Sequence, residues 1–441
     1  MLACEPLFFV LGQRRRGRDI ELSHVDRALL IRLDEIGDVV MTSPFLREFR
    51  RHAARAWITL VVKPAVHNLV DRCPYVNEVL TYDWNTLPQL QDLRRHGRAL
   101  RLAWQHLWQR RFDLAVVPRW DVDLYHAAFL AYFSGARWRI GYSENVPDYK
   151  RRANAGYDRL FTHVLDDRAP RHEVERNLDV LRFLGGSVQE DRLELWFDPE
   201  DEVFAGQCLR SHHVQPGDLL IAFGPGAGSL KRMWPLANFL EVGDWLSKEE
   251  HARILVIGGK GEEKLGQALR QQLGQTVINV VGQTTLRQAG ALLKHCMLFV
   301  GNDAGPMHLA AAAGVPVIEI SCHPHDGDAL HYNSPTRFGP WGVPHRILRP
   351  ETALEPCSKA CLADQAHCIT QIDVKQVQGG ITELLSRPCI ESTRHAQGHA
   401  YLASLGNSGS RNWTPFPHTV GNLDEAPDPG SRTQLSKNQA D

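Results

Sequence analysis

The chain has 441 residues, with 50 Lys+Arg against 51 Asp+Glu and a formal net charge of -1 at pH 7. Hydrophobic residues make up 43% and charged residues 23%, which are ordinary globular proportions and exclude wholesale disorder and fibrous repeats. The balanced charge argues against a generic nucleic-acid binder, because such proteins carry excess Lys and Arg to neutralise phosphates.

Length and cysteine usage suggest the organisation of the chain. At roughly 150 residues per domain, we expect two or three domains, each with its own core. No apolar run approaches the roughly 20 residues that cross a bilayer, and the short N-terminal apolar stretch precedes its Arg cluster, the reverse of a signal peptide. Nine cysteines, an odd count, are untypical of a secreted disulfide framework, so we expect a reducing cytoplasm.

The first predicted elements follow an Arg-rich N-terminal extension over residues 1–25. A strand over Ala28–Leu33 leads into the turn DEIGD, after which Ser43 and Pro44 are predicted as the cap and first-turn proline of a helix. This half continues with predicted strands over Trp57–Val62, around Glu78–Leu80 and over Asp113–Val117, and with a helical stretch over Leu87–Arg110. The alternation is typical of a parallel α/β sheet.

A second α/β half begins after Pro216-Gly217 and contains a helix from Pro235. Its predicted strands are Leu219–Phe223, Arg253–Ile257, Val277–Val281, Met297–Val300 and Val315–Ile320. Two halves of similar size predict twin doubly wound domains, over residues 26–200 and 201–386, that face each other across a cleft. The Ser-, Asn-, Pro- and Gly-rich residues 387–441 are predicted to be a disordered tail.

Three carboxylates lie in the turn Asp34-Glu35-Ile36-Gly37-Asp38, directly after a predicted strand. Loops at the carboxyl ends of strands gather ligands in α/β folds, so one of these carboxylates could be a general base. Alternatively, Asp38 caps a helix and the other two are solvated turn residues.

A glycine-rich loop, Gly224-Pro225-Gly226-Ala227-Gly228-Ser229-Leu230-Lys231-Arg232-Met233-Trp234-Pro235, connects a predicted strand to a helix. It matches neither GxGxxG nor a P-loop. Small residues would nevertheless let backbone N–H groups approach an anion, and the two adjacent cations would neutralise phosphate charge. The alternative is a surface turn with two solvated cations.

A second strand-loop-helix unit is Gly301-Asn302-Asp303-Ala304-Gly305-Pro306-Met307-His308, followed by an alanine-rich stretch. Asp303 is predicted to cap this helix, with Pro306 in its first turn. The N–H groups near Gly305 and the positive end of the helix dipole could receive a diphosphate. His308, in the same turn, either reaches a ligand or is packed in the core.

Three cysteines and a histidine, Cys357, Cys361, His367 and Cys368, lie within PCSKACLADQAHC. Zinc is one interpretation, although adjacent His367 and Cys368 are awkward ligands for one tetrahedral centre. Reduced buried thiols or a local disulfide are favoured over it, and no metal ligand is assigned.

Taken in order, these segments resemble glycosyltransferase family 9, the ADP-heptose:lipopolysaccharide heptosyltransferases, from roughly Arg27 to Leu385. The resemblance rests on six segments: RALLIRLDEIGDVVMTSP, HEVERNLDVLRFLG, GPGAGSLKRMWP, VVGQTTLRQAGALL, GNDAGPMHLAAAAGVPV and the late PC…C…HC. It implies a GT-B fold of two Rossmann-like domains, with a nucleotide-sugar donor held by the C-terminal domain and an acceptor facing the N-terminal one. Transfer would be inverting and would need no metal or other cofactor.

The resemblance also assigns roles to individual residues. Asp38 matches the family's general base, and the donor-binding positions it implies are Ser229, Lys231, Arg232, Glu262, Asp303, Ala304, Gly305 and His308. Two residues compete for the role of the phosphate-contacting cation. Arg232 has the family's usual position two residues before the Trp, whereas Lys231 has the family's usual residue type. Glu262 is chosen over Glu263 as the family's donor glutamate. Asp34 and Glu35 depart from the family pattern and add negative charge where an anionic acceptor would approach.

The implied function is transfer of heptose, or a related sugar, from an ADP-sugar to a lipopolysaccharide-type or other bacterial surface glycan acceptor. A lipid-linked acceptor implies work at the cytoplasmic face of the inner membrane, with Arg14–Arg18 and the Arg50-Arg51 pair as candidate contacts to anionic lipid. The alternatives are a transferase or epimerase that uses a UDP- or GDP-sugar, and an inactive nucleotide-sugar-binding partner. No nucleic-acid partner is expected.

Overall fold

The computed structural model describes residues 20–83, 91–358, 362–387 and 419–422, and two parallel sheets form within them. The strands are β1 (Arg27–Arg32), β2 (Trp57–Val62), β3 (Glu78–Thr81), β4 (Leu114–Val117), β5 (Trp138–Tyr142), β6 (His163–Leu165), β7 (Leu220–Gly224), β8 (Arg253–Val256), β9 (Val277–Asn279), β10 (Leu298–Asn302), β11 (Val317–Ile320), β12 (His345–Leu348) and β13 (Thr419–Asn422).

Helices connect successive strands on both faces of the sheets. They are α1 (Ile36–Val40), α2 (Ser43–His52), α3 (His67–Val70), α4 (Gln91–Leu102), α5 (Ala127–Phe133), α6 (Asp148–Ala153), α7 (Glu173–Phe183), α8 (Pro199–Ser211), α9 (Leu236–Lys248), α10 (Glu263–Leu273), α11 (Leu286–Leu293), α12 (Gly305–Ala312), α13 (Pro335–Phe338) and α14 (Val374–Leu385). A π turn over Ala103–Leu107 and a 3₁₀ turn over Trp108–Arg110 extend α4. No helix in these described ranges is long and apolar enough to span a bilayer.

The strand order is the same in both sheets. In the first, β3-β2-β1-β4-β5-β6 are adjacent and β13 pairs beside β3; in the second, the corresponding order is β9-β8-β7-β10-β11-β12. In a doubly wound sheet of this order, the chain reverses direction between the first and fourth strands, and ligands bind at the carboxyl ends of those two strands. The two expected ligand positions therefore lie after β1 and β4, and after β7 and β10.

Alternating side chains of β1 show why the first sheet is covered on both faces. Ala28 and Leu30 pack in the same buried cluster as Phe49 of α2, whereas Leu29 and Ile31 pack in another cluster with α5. Successive strand residues point to opposite faces, so a continuously apolar strand requires helices on both sides. The apolar runs of the sequence thus encode a central, doubly covered sheet.

Most predicted strands of both halves are confirmed to within one or two residues at most ends. The cap prediction for Ser43 is wrong: Thr42 is the N-cap, and the Ser43 hydroxyl instead donates to Val40 O and accepts from the Glu194 N–H. Of the predicted disordered tail, the described residues 419–422 are β13 in parallel register with β3, which corrects the prediction for those four residues. Residues 388–418 and 423–441 lie outside the described ranges, as do residues 1–19.

Candidate active site

The two expected ligand positions meet, because α1 of the first half lies against α12 of the second. A Cβ added to Gly37 would lie 2.4 Å from Cδ2 of His308, and one added to Gly305 would lie 3.1 Å from Cβ of Ile36. Only glycine permits the approach at Gly37, since a Cβ so close to another heavy atom requires the backbones to separate. The structure therefore joins the DEIGD and GNDAGPMH loops in one cleft.

Asp38 lies in the first turn of α1, at the bottom of this cleft. One carboxylate oxygen is 3.1 Å from Nη2 of Arg32, and the other accepts the backbone N–H of Glu35 at 3.3 Å. Burial raises the pKa of Asp38, and the charge of Glu173 adds to the effect, while Arg32 and Arg337 oppose it. The side chain thus caps its helix and is also a carboxylate of increased basicity, so the two interpretations of this residue are compatible.

Asp34 is not a solvated turn residue, because two guanidinium groups enclose it. Nε of Arg32 is 3.1 Å from one carboxylate oxygen of Asp34, and Arg119 forms an ion pair with the other. Arg32 also donates to Pro118 O at 3.1 Å, which ties the end of β1 to the loop after β4. The negative charge of Asp34 is therefore neutralised inside the protein, whereas Glu35 stays exposed and pairs with Lys63.

Arg337, which the sequence analysis did not single out, connects the two halves of the molecule. Fully buried within α13, it donates to Glu173 of α7 at 2.8 Å and is 2.9 Å from Asp121, in the loop after β4. Burial opposes the charge of Arg337, but the two carboxylates raise its pKa above the ordinary value. The available signal was an Arg within an otherwise uncharged stretch, NSPTRFGPWG, far in sequence from both carboxylates.

In the second half, the structure separates the two adjacent cations of the glycine-rich loop. Nη2 of Arg232 is 2.8 Å from the Asp303 carboxylate and also donates to Asp303 O, whereas Nζ of Lys231 is 3.4 Å from the Tyr332 hydroxyl. Ser229 directly precedes the single 3₁₀ turn that carries both cations. Arg232, rather than Lys231, is therefore the cation that lies beside the second loop.

The prediction that Asp303 caps α12 is wrong. Ala304 occupies the N-cap position, without a side-chain cap, and Pro306 lies in the first turn as expected. Asp303 instead pairs with Arg232; burial raises the pKa of its carboxyl, and Arg232 opposes that shift. The start of α12 thus has no side-chain cap, and it lies where Gly305 meets α1.

Glu262 and Glu263 have different surroundings, although both accept a backbone N–H of the same turn. Glu262 accepts from Gly259 at 2.7 Å, and its carboxylate occupies the space where a Cβ of Gly226 would stand, 2.0 Å away. Glu263 accepts from Gly261 and faces Gly282. Burial raises the pKa of Glu262. Of the two, Glu262 is the one in contact with the glycine-rich loop.

Asn302, at the end of β10, belongs to the second loop motif, but the sequence analysis assigned it no role. Its side-chain amide donates to Pro225 O at 2.8 Å, and its side-chain oxygen accepts the backbone N–H of Trp234 at 2.9 Å. It therefore holds both ends of the glycine-rich loop in place. The sequence signal for this role was a polar Asn directly after the apolar residues of a strand.

His308 is buried at the contact between the two halves, near His172 of the segment before α7. Burial lowers the pKa of His308 to about 3 and that of His172 to about 4. Nδ1 of His172 accepts the Val174 N–H, and its Nε2 lies 2.9 Å from Gly339 O. Both rings are therefore neutral at pH 7, and His308 can contact a ligand as a neutral donor or acceptor.

The sequence model of glycosyltransferase family 9 (heptosyltransferase) matches residues 100–367, which is more than half of the chain. The chain belongs to glycosyltransferase family 9. The protein is therefore a glycosyltransferase, as its sequence motifs implied. Among its curated relatives, lipopolysaccharide heptosyltransferase 2 of Escherichia coli strain K12 is 26% identical over 307 residues, covering 67% of this chain and 82% of the relative. Lipopolysaccharide heptosyltransferase 3 of E. coli is 23% identical over 286 residues, covering 64% and 80%.

Solved structures of the family share the fold. The family 9 glycosyl transferase from Veillonella parvula DSM 2008 superposes with a TM-score of 0.67 at 22% identity, covering 84% of this chain and 99% of that one. The E. coli ADP-heptose heptosyltransferase II superposes with a TM-score of 0.60 at 21% identity, covering 81% and 98%. The predicted GT-B arrangement of two Rossmann-like halves across a cleft is thereby confirmed. The predicted domain limits at residues 200 and 386 stay a prediction.

Proposed function

We propose that this family 9 glycosyltransferase transfers heptose from ADP-heptose to a lipid-linked, lipopolysaccharide-type acceptor, with inversion at the anomeric carbon and without a catalytic metal. The observation that carries the proposal is the position of Asp38, a partly buried carboxylate of raised pKa, in the helix α1 that packs against the N-terminus of α12. The curated relatives named above are lipopolysaccharide heptosyltransferases, and the E. coli heptosyltransferase WaaC, solved with ADP, has this fold with a TM-score of 0.59.

The proposed reaction is a single displacement. The ionised Asp38 carboxylate takes the proton of an acceptor hydroxyl, whose oxygen forms a bond to the anomeric carbon of the donor. The bond between that carbon and the diphosphate oxygen breaks, and ADP leaves with the electron pair. Holding donor and acceptor in line across the cleft makes the encounter effectively intramolecular.

Charge on the departing diphosphate would be offset from the donor side. Arg232 lies beside Asp303, and the start of α12 offers N–H groups and the positive end of its dipole. Asp303 and Arg232 form an ion pair, and a diphosphate would compete with Asp303 for the guanidinium. Ser229, Ala304, Gly305 and His308 line the same side, and Glu262 would contact the donor from beneath the glycine-rich loop.

Asp38→Asn tests the base. Asn keeps the size and the helix cap but cannot take a proton, so we expect kcat to fall by about 10²- to 10⁴-fold while donor affinity changes little. Glu35→Gln is the matched control, because Glu35 is an exposed carboxylate in the same turn that pairs with Lys63. Turnover by Asp38→Asn at the wild-type rate would exclude Asp38 as the base.

The pH dependence provides a second measurement on the same residue. The base acts when it is deprotonated, so kcat falls as the pH drops through the pKa of Asp38. Because burial raises that pKa, the acid limb lies at higher pH than for an ordinary aspartate. This limb should disappear from the residual activity of Asp38→Asn.

The donor and the need for metal are tested by ligand-dependent thermal stability and by initial rates. We expect ADP-heptose to raise the melting temperature more than UDP- or GDP-sugars, and added Mg²⁺ or Mn²⁺ to leave the transfer rate unchanged. Glu262→Gln should weaken donor binding by about tenfold, whereas Glu263→Gln should have little effect. Stabilisation by UDP- or GDP-sugars alone would indicate another donor, and donor binding without transfer to any acceptor would indicate an inactive partner.

Peripheral contact with the inner membrane is part of the proposal, but through a different surface from the one the sequence suggested. Arg50 donates to Ala56 O at 2.7 Å and to Asn77 at 2.5 Å, and Arg51 is held by Glu48 at 2.8 Å. This pair is therefore engaged within the protein. The other predicted contact, Arg14–Arg18, lies outside the described residues.

An exposed apolar stripe supports the contact instead. Leu100, Trp104 and Trp108 are spaced four residues apart and are 41%, 59% and 42% exposed, and the two indole rings stack at 5.4 Å. Arg101 and Arg111, both exposed, flank the stripe. Tryptophan and arginine on one helical face are typical of segments that lie in the interface of an anionic membrane.

Vesicle co-sedimentation tests this surface. The wild-type protein should sediment with vesicles that contain phosphatidylglycerol and less with neutral phosphatidylcholine vesicles, and the double variant Trp104→Ala/Trp108→Ala should lose most of this binding. Trp57→Ala is the matched control, since Trp57 is similarly exposed at 41% but lies at the start of β2. Equal sedimentation of both variants would rule out the stripe as the contact.

A further inference from the structure

Two cysteines and a histidine come together in the connection between β12 and α14, outside the cleft residues. The side-chain ligand atoms of Cys357, His367 and Cys368 all lie within 4.8 Å of one another. Both thiols are buried, with 6% and 3% of the residue exposed. Cys361, in the same segment of sequence, lies outside the described residues. The described part of the chain therefore provides three soft ligands in one place.

The distances match those of a tetrahedral metal centre. Nδ1 of His367 is 3.7 Å from Sγ of Cys357 and 3.5 Å from Sγ of Cys368. Tetrahedral bonds of about 2.3 Å to sulfur and 2.0–2.1 Å to nitrogen would place these atoms about 3.6 Å apart. We propose that Cys357, His367 and Cys368 bind a zinc-class divalent metal ion in a structural site.

The sequence analysis described adjacent His367 and Cys368 as awkward ligands for one tetrahedral centre, but the local backbone brings their side chains together. The backbone of His367, at φ −138° and ψ −92°, is neither helical nor extended and immediately precedes a 3₁₀ turn that begins at Cys368. Through this bend, the two consecutive side chains turn toward the same point. Adjacency in sequence thus does not prevent the two residues from sharing one centre.

Backbone groups around the cluster are arranged to support thiolates. The Leu362 N–H donates to Sγ of Cys357 at 3.2 Å, and the Leu354 N–H donates to Sγ of Cys368 at 3.4 Å. Metal-bound thiolates are typically oriented and stabilised by such outer hydrogen bonds. A set of two sulfurs and one imidazole favours zinc or another borderline-soft ion over Mg²⁺ or Ca²⁺.

The position of the cluster suggests what the metal would stabilise. Ile369 and Ile372 anchor the end of this connection in the core of the second sheet. Ile372 O also accepts the indole N–H of Trp234 at 2.8 Å, and Trp234 ends the glycine-rich loop. The metal would therefore hold in place the segment on which that loop rests. This consequence, unlike metal binding itself, depends on the proposed donor site.

Metal content of the purified full-length protein tests the site. We expect close to one zinc per chain after desalting, and loss of that zinc in Cys357→Ser, Cys368→Ser and His367→Gln. Cys208→Ser is the matched control, because Cys208 is a half-buried thiol of α8 that lies outside the cluster, and this variant should retain the metal. Iron in place of zinc, with the same dependence on the three residues, would support the site and change its metal.

Spectroscopy keeps the test independent of how well the variants fold. Wild-type protein reconstituted with Co²⁺ should show the visible absorption of a tetrahedral cobalt centre, together with thiolate-to-cobalt charge-transfer bands. Absence of these bands, combined with less than about a tenth of a metal ion per chain, would overturn the proposal. A Cys357–Cys368 disulfide, found by peptide mapping without reductant, would also overturn it.

The two proposals fail in distinguishable ways. If the metal stabilises the glycine-rich loop, the cysteine variants should bind donor more weakly, whereas Asp38→Asn should keep its zinc. A protein that contains zinc but does not transfer heptose would leave the metal site standing and contradict the proposed function. A protein that transfers heptose without bound metal would support the proposed function and contradict the metal site.

Discussion

The carboxyl edges of the two sheets hold charge in different ways. At the first edge, Arg32 and Arg119 enclose Asp34, and Arg337 is held between Glu173 and Asp121. Pairing of this kind fixes side chains in one geometry. Asp38, the proposed base, pairs with Arg32 and so belongs to this network.

The second edge is formed largely by glycine-rich turns and contains incompletely neutralised acids. Asp303 has Arg232 as its ion-pair partner, and the fully buried Glu319 has its pKa raised well above the ordinary value by burial and by Asp303, against Arg232 and Arg349. An edge of this kind can rearrange when a charged donor binds. If the proposed function holds, the protein fixes the proposed acceptor side and keeps the proposed donor side adaptable, which the following predictions test.

Arg337→Gln should have the largest effect on stability. It removes the shared cation of the buried Glu173 and the partly buried Asp121, so we expect the free energy of unfolding to fall by about 3–5 kcal/mol in chemical denaturation. Arg182→Gln is the control, because Arg182 pairs on the exposed side of α7 and should cost only about 0–1 kcal/mol. Similar losses for both variants would contradict the rigid-edge interpretation.

Gly226→Ala should affect donor binding next most strongly. A Cβ there would lie 2.0 Å from the Glu262 carboxylate, so Glu262 or the loop must move, and we expect about tenfold weaker donor binding by calorimetry. Gly228→Ala lies two residues away in the same loop, where a Cβ would meet nothing within 4 Å. That variant should bind donor as the wild type does, and equal weakening by both would show that loop flexibility, not the Glu262 contact, matters.

His172→Gln should change how stability depends on pH. The pKa of His172 is about 4 in the folded protein against an ordinary value of 6.5, so between these values the unfolded chain binds more protons and wild-type stability falls as the pH falls. From His172 alone we expect a loss of about 1 kcal/mol between pH 7 and 5.5. Melting curves of His172→Gln should show a shallower decrease, while His24→Gln, at a surface histidine, should follow the wild type.

Glu319→Gln should have the smallest effect, and in the opposite direction. Because the raised pKa makes the folded protein hold the Glu319 proton above pH 4.5, wild-type stability decreases as the pH rises from there toward the folded pKa. A neutral Gln does not carry this penalty. We therefore expect the free energy of unfolding at pH 7 to increase slightly, by less than about 1 kcal/mol. Glu173→Gln, measured in parallel, should destabilise the protein because Arg337 loses a charged partner.

Much of the fold was predictable because its strands are short apolar runs bounded by turn residues. Trp57–Val62 was predicted with the bounds that the structure has. The strands that were missed, β5, β6, β12 and β13, include ones with polar or charged residues such as His345-Arg346 in β12. Their pairing comes from neighbouring strands rather than from their own pattern.

The site was predictable only in part, for a similar reason. Asp38 and the loops after β7 and β10 could be proposed because each motif is contiguous in sequence. Arg337 and Glu173 are separated by 164 residues, and neither carries a local pattern that indicates the other. The choice of Arg232 over Lys231 and the contacts of Glu262 likewise required side-chain positions.

The alternation of strands and helices, the glycine-rich loops and the family can all be recognised from local patterns of residue type. Which charges neutralise one another, that Asp34 faces inward, and that Cys357, His367 and Cys368 converge became known from the folded arrangement. Such pairings depend on how distant segments are brought within a few ångströms, where Coulomb energies and hydrogen bonds act, and a local pattern does not specify that approach.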